Sequence, residues 1–249
     1  MRRGVSTSLI RSSVELIDML PEAELYELGF FKPADLEVVV DFLKRKARPF
    51  GVHAPFILSY GFHPSPTSLD PEKRGRTFSV NEICAHIART LGAEYMVIHF
   101  PTAHQDEDWR ILWNEVVAHV VKLSRIVRIR VENVYGNACF HSANDFRFFL
   151  TEAGVGMCVD IGHLLLDSEM YGFDPINFIE RLSEFIEEFH IYYADPISYI
   201  KCHHAPWGEK KMFREILEFI RSFNVDFVLE ATPECEGLDK LLSYWRGLG

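Results

Sequence analysis

The sequence lacks the markers of several common protein classes. It has no C-x-x-C pair: its five cysteines, Cys84, Cys139, Cys158, Cys202 and Cys235, are odd in number and widely spaced. That pattern argues against a disulfide framework and predicts thiols held in a reducing compartment. No run comes near the roughly 18 apolar residues that cross a bilayer, and Arg11, Glu15 and Asp18 interrupt any signal-peptide core near the N-terminus. The expectation is a soluble, cytoplasmic chain with no membrane partner. Positive charge is not in excess either, since 26 Lys and Arg stand against 36 Asp and Glu, for a formal charge of −10. Such a field repels phosphate backbones at long range and disfavours a dedicated nucleic-acid binder. No G-x-G-x-x-G follows any apolar run, so the phosphate loop of an open dinucleotide-binding sheet is missing. No linker, low-complexity stretch or charge block divides residues 1–249, which read as one domain.

What is present is enough apolar material for a sizeable core, 48% of residues, with 20 Phe among them. Short β-rich runs at 3–8, 24–28, 50–53, 95–99, 128–132, 156–160, 190–193 and 226–230 alternate with helical patterns at 35–46, 79–91, 108–126, 145–153, 175–189, 209–223 and 238–246. Pro33-Ala-Asp35 and Asp174-Pro175 are helix starts, and Gly92 and Gly154 stand where helices should stop. Parallel neighbours need long crossovers, so strands that alternate with helices favour a parallel sheet. Eight such repeats predict a closed (β/α)₈ TIM barrel with its active site at the C-terminal ends of the strands.

Those strand ends carry one kind of residue. His53 closes the third run, His99 the fourth, Glu132 the fifth, Asp160 the sixth with His163 just beyond, and Glu230 the eighth. His190 opens the seventh run, and Cys202, His203 and His204 follow it. A single strand-end histidine is usually an ordinary core residue. Here the pattern recurs on consecutive strands and would bring Glu132, Asp160 and Glu230 together, three anions that repel strongly in a low dielectric. A divalent cation compensates them, and imidazole nitrogens complete a mixed shell suited to Zn²⁺ or Mn²⁺. Arg130 lies on the same side of its strand as Glu132, within reach of that carboxylate or of a substrate phosphate. Glu27 is a candidate for substrate contact, against the plainer reading of a rim carboxylate paired with a neighbour. His86 and His119 fall in helical patterns and His63, His104 and His141 in loops, where solvent contact or routine hydrogen bonds are expected.

The ordered series H-A-P-F at His53, V-I-H-F at His99, E-N-x-x-G at Glu132, D-I-G-H at Asp160 and His163, then His190, H-x-P-x-G at His204 and finally Glu230 resembles the xylose isomerase-like barrel superfamily, which also holds endonuclease IV. Each motif alone is weak, and it is their order along nearly the whole chain that carries the resemblance. For a sugar or sugar-phosphate isomerase or epimerase, the resemblance implies one metal on Glu132, Asp160, His190 and Glu230, with Glu132 and Glu230 exchanging a proton across the sugar. His163 would then bind substrate or a ligand, and Trp207 or Phe100 would wall the sugar. For an endonuclease IV-like enzyme acting on DNA, it implies up to three zinc ions. His53, His99 and Glu132 would hold one, and Glu132 would bridge to the second. His163 and His204 would hold the third, with Cys202 standing where that pattern has Asp. The isomerase or epimerase is the preferred reading. A metal-stabilised protein that binds a small polyol is a further alternative.

Overall fold

Runs of Val, Ile, Phe and Tyr bounded by Gly, Pro and acidic turns form eight parallel strands. In the computed structural model, which describes residues 1–56 and 63–248, these are β1 (Arg2–Ser6), β2 (Leu25–Gly29), β3 (Phe50–His53), β4 (Tyr95–Phe100), β5 (Ile129–Asn133), β6 (Gly156–Asp160), β7 (Ile186–Ile191) and β8 (Asp226–Leu229). They pair in chain order and β8 closes onto β1, giving one eight-stranded parallel barrel. Around it, among the described residues, lie α1 (Leu36–Lys46), α2 (Pro71–Leu91), α3 (Trp113–Ser124), α4 (Ala143–Ala153), α5 (Ile161–Tyr171), α6 (Pro175–Leu182), α7 (Pro196–Cys202), α8 (Lys211–Ile220) and α9 (Leu238–Arg246). The expected (β/α)₈ barrel is the fold observed.

Local chemistry explains the helix boundaries. Asp70, Ser142, Asp160, Asp174 and Asp195 each accept hydrogen bonds from first-turn amides of the helix they precede. Gly92, Gly154 and Gly172 take the left-handed conformation that ends α2, α4 and α5. Phe178, Ile179 and Leu182 on α6, and Phe213, Ile216, Leu217 and Ile220 on α8, are buried at helical spacing. Each such side chain contributes roughly 1.5–3 kcal/mol by leaving water. No described helix is long and apolar enough to cross a membrane.

The structure departs from the sequence reading at β7. The helical pattern at 175–189 stops at Leu182, and residues Ile186–Ile191 are strand. Glu188 points into the barrel, fully buried, where its carboxylate accepts from Arg130 Nη1 at 2.9 Å. A helix could not deliver it there. His190 therefore lies near the end of β7, as the other candidates do on their strands, instead of at its start. α5 and α7 have no counterpart among the helical patterns of the sequence. Every residue of α5 from Ile161 to Asp167 is buried, which erases the amphipathic period that would signal it.

Two further corrections concern charge and sulfur. Arg130 does not reach Glu132 or the substrate end. Its guanidinium bonds Glu187, Glu188 and Asp226 and lies 3.6 Å over the Tyr95 ring, lower in the barrel. Cys202 and Cys235 are joined as a disulfide with Cα atoms 5.8 Å apart, while Cys84, Cys139 and Cys158 are free. Spacing could not announce this pair. Beside it, Thr232, after β8, binds back to the end of α7, its hydroxyl donating to the Cys202 carbonyl at 2.6 Å.

Candidate metal centre

His53, His99, Glu132, Asp160 and His190 sit at the last or next-to-last positions of their strands and Glu230 immediately after β8, whereas His163 lies on α5, Cys202 at the end of α7 and His204 just beyond it. Parallel strands deliver the strand-end residues to one end of the barrel. Ligand atoms of Glu132, Asp160, His190 and Glu230 lie within 4.8 Å of one another, and so do those of His53, His99 and Glu132. His190 Nδ1 is 3.0 Å from Glu230 Oε2 and 3.9 Å from Glu132 Oε1. His53 Nε2 hydrogen-bonds Glu132 Oε2 at 2.7 Å, and His99 Nε2 stands 3.6 Å from the same oxygen.

The motif residues around these ligands hold them in place. In E-N-x-x-G, the Asn133 side chain accepts from the Asp160 amide at 2.9 Å and donates to the Asp160 carbonyl at 3.1 Å. In D-I-G-H, Asp160 Oδ1 accepts from the His163 amide at 2.7 Å, so the ligand candidate is also the cap of α5. His163 Nδ1 meets the Asn133 carbonyl at 3.0 Å and lies 3.6 Å from Glu132 Oε1. His204 Nδ1 meets the Glu230 carbonyl at 2.9 Å.

Asp160 Oδ2, His190 Nδ1 and Glu230 Oε2 are buried and have no hydrogen-bond partner. An unpartnered buried polar atom costs about 1–3 kcal/mol, and more when charged. Three of them converging from three strands fit a cation better than any side chain present. Electrostatics agrees. Burial, reinforced by Glu132 and Glu230 against the pull of His163, pushes the Asp160 carboxyl up to about 8. Burial also raises Glu132, but the neighbouring His99 and His53 outweigh it and hold that carboxyl well below the usual range. His163, with Nδ1 3.5 Å from Asp160 Oδ2, does not offset that burial. Three carboxylates and an imidazole are a donor set suited to Zn²⁺ or Mn²⁺.

Above this cluster opens a cavity of about 560 Å³ whose lining includes Glu132, Glu230, His99, His163 and His204. Phe30, Tyr135, Tyr199, His63, His104, His203 and Arg11 also line it. Sequence reasoning does not find these residues, because they belong to loops or, for Tyr199, to α7, which the sequence pattern does not announce. Two signals exist: Tyr135 lies inside E-N-x-x-G, and His203 adjoins His204. Phe30, His104 and His203 take positive φ, a backbone state that residue type does not announce. The two expected walls are elsewhere. Phe100 follows His99 by one position and so faces the helices, stacked on Phe149 with ring centroids 4.0 Å apart. Trp207 packs against Phe213 of α8. Cys202, tied to Cys235, has no thiolate to give a metal. Glu27 is not on the rim either. It is fully buried, with Oε1 3.0 Å from His190 Nε2.

A family model described as the xylose isomerase-like TIM barrel matches residues 12–228. Among solved structures, a D-tagatose 3-epimerase-like protein is 20% identical with a TM-score of 0.67, covering 99% of this chain and 97% of its own. A 3-keto-D-glucoside 4-epimerase from E. coli is 14% identical with a TM-score of 0.71, covering 98% of each chain. Endonuclease IV from Thermus thermophilus is 16% identical with a TM-score of 0.67, covering 100% of this chain and 98% of its own. At these identities the likeness is one of fold. No curated protein sequence matches the chain.

Proposed function

The chain belongs to the xylose isomerase-like TIM barrel family, and from that premise we propose that it is a divalent-metal-dependent isomerase or epimerase acting on a sugar or sugar phosphate. The observation that carries the reading is the set of unpartnered buried atoms on Asp160, His190 and Glu230, gathered with Glu132 at the floor of an open cavity. Two neighbours in fold bear the names of sugar epimerases, which supports the substrate class.

In this reading Glu132, Asp160, His190 and Glu230 hold the ion. The bound cation supplies Lewis-acid polarisation of a carbonyl and its neighbouring hydroxyl, which acidifies the carbon beside them. Glu132 and Glu230 come from β5 and from the end of β8, and both line the cavity. One carboxylate takes the proton from that carbon, and the other returns one from the opposite side. His163, held by the Asn133 carbonyl, directs its other ring nitrogen to a substrate oxygen. Phe30 and Tyr135 keep water from the exposed carbon.

A second reading, phosphodiester cleavage, has in its favour the His53–His99–Glu132 group that would hold an additional ion and a neighbour in fold named endonuclease IV. The loss of Cys202 as a ligand counts against a full three-ion site. Elemental analysis of chain purified without chelator separates the two. About one ion per chain, with a ketose panel that exchanges deuterium from D₂O at one carbon, supports the isomerase or epimerase. Two or three zinc ions with cleavage of abasic-site DNA would replace it. A chain that binds no metal refutes both.

A further inference from the structure

Building on that site, we infer that Glu27 is a positioning residue: it keeps the His190 proton on Nε2 and thereby leaves Nδ1 as the nitrogen that binds the cation. Glu27 stands at the centre of β2, fully buried, and the sequence pattern gives it no such role. Its Oε1 lies 3.0 Å from His190 Nε2, while His190 Nδ1 lies 3.0 Å from Glu230 Oε2 on the other side of the ring. The imidazole is therefore held between two carboxylates, one belonging to the ligand set and one outside it.

Glu27 is itself held. Its second oxygen accepts from the Tyr95 hydroxyl at 3.1 Å, and the same hydroxyl lies 2.8 Å from Glu188 Oε1. Tyr95 reaches this point because residue 51 is glycine. A Cβ there would stand 2.2 Å from the tip of the Tyr95 ring. Gly51, Tyr95 and Glu27 thus form a chain of contacts from β3 through β4 to β2 that ends on the His190 ring.

Among the described residues, three groups of side chains able to hold a metal share His190: one with Glu132, Asp160 and Glu230, one with Glu27 and His53, and one with Cys158 and Glu188. They are alternatives, because binding ions through both ring nitrogens would require an imidazolate. The first group brings three carboxylates to His190, with Glu230 Oε2 3.0 Å and Glu132 Oε1 3.9 Å from Nδ1. A proton on Nε2 then faces the Glu27 carboxylate at ion-pair distance, although neither atom has a hydrogen-bond partner among the described residues, and the contact raises the basicity of Nδ1, as carboxylate partners of metal-bound histidines do.

The test uses full-length chain stripped by chelator and titrated with Zn²⁺ alone. Glu27→Gln is expected to weaken Zn²⁺ binding by about 10–100-fold with the number of ions at saturation unchanged. In the zinc-loaded wild-type chain, the ¹⁵N spectrum of the His190 ring should show its proton on Nε2, a result independent of how any variant folds. Zn²⁺ affinity within twofold of wild type, or a proton on Nδ1, overturns the inference. Loss of a whole ion at saturation also overturns it, by making Glu27 a ligand. Neither readout involves turnover, so failure of the ketose panel alone removes the proposed reaction and leaves this role intact. A wild-type chain that takes up no Zn²⁺ sinks both.

Discussion

Asn133 and Asp160 bind each other across neighbouring strands, the Asp160 amide donating to Asn133 Oδ1 at 2.9 Å and Asn133 Nδ2 donating to the Asp160 carbonyl at 3.1 Å. A side-chain amide thus replaces a backbone ladder at the point where β6 turns into α5. The same Asn133 receives His163 on its own carbonyl. One residue fixes the bearings of a carboxylate and an imidazole.

Asn133→Ala should leave the barrel folded and lower metal affinity by about 10–100-fold, the range for partners that orient ligands. Isothermal titration of the metal-free chain reads this directly. Unchanged affinity would mean that Asp160 is oriented by the backbone alone.

Glu132→Gln and Glu230→Gln should each abolish turnover while the far-ultraviolet circular dichroism remains that of wild type. Retention of more than about a tenth of the wild-type rate in either variant would rule out the assigned proton exchange.

Chelation should reduce stability. An ion at about 100 times its Kd stabilises a folded chain by about 2.7 kcal/mol. For a chain of this size that is a fall in Tm of roughly 5–10 °C, reversed by adding the ion back. Scanning calorimetry with and without EDTA is the check, and coincident transitions would count against a buried metal site.

His119 offers a pH test away from the metal centre. It is buried on α3 and stacked on Phe78 with ring centroids 3.9 Å apart; burial lowers it from 6.5 to about 4. The unfolded chain then binds more protons between these values, so stability is lost as pH falls below about 6.5 and levels off near 4. At pH 5 this amounts to about 2 kcal/mol. Urea unfolding of wild type against His119→Phe at pH 5 and 7.5 should show the difference between them shift by that amount in favour of the variant. A constant difference would exclude a neutral buried imidazole.

The strand-end ligands are legible in the sequence because a parallel barrel turns position along a strand into position in space. His53, His99, Glu132, Asp160 and Glu230 need only the ends of apolar runs to be located. β7 is less legible, since Phe185, Glu187, Glu188 and Phe189 fit helical spacing; Arg130 pairing with Glu188 decides in favour of strand. Phe100 is not the sugar wall that the resemblance implies, and strict alternation after His99 already turns it towards the helices. The Cys202–Cys235 bond and the walls contributed by Phe30, Tyr199 and His104 depend on how loops return over the barrel mouth, which no local pattern encodes.

The arginines in the lower barrel bear on how such a fold tolerates its own active site. Arg2 and Arg130 meet Asp226, Arg130 also meets Glu188 and Glu187, and Arg2 also meets Glu94, so the cations of this layer are matched by carboxylates. At the other end of the barrel, Asp160 Oδ2 and Glu230 Oε2 have no hydrogen-bond partner among the described residues, and Glu230 lines the cavity that an ion and a substrate can reach. Removing or exchanging an ion at the mouth changes the charge there and leaves the ion pairs of the lower half in place. Substitutions around the cavity can accordingly alter what is bound there without disturbing the ion pairs that join β1, β5, β7 and β8.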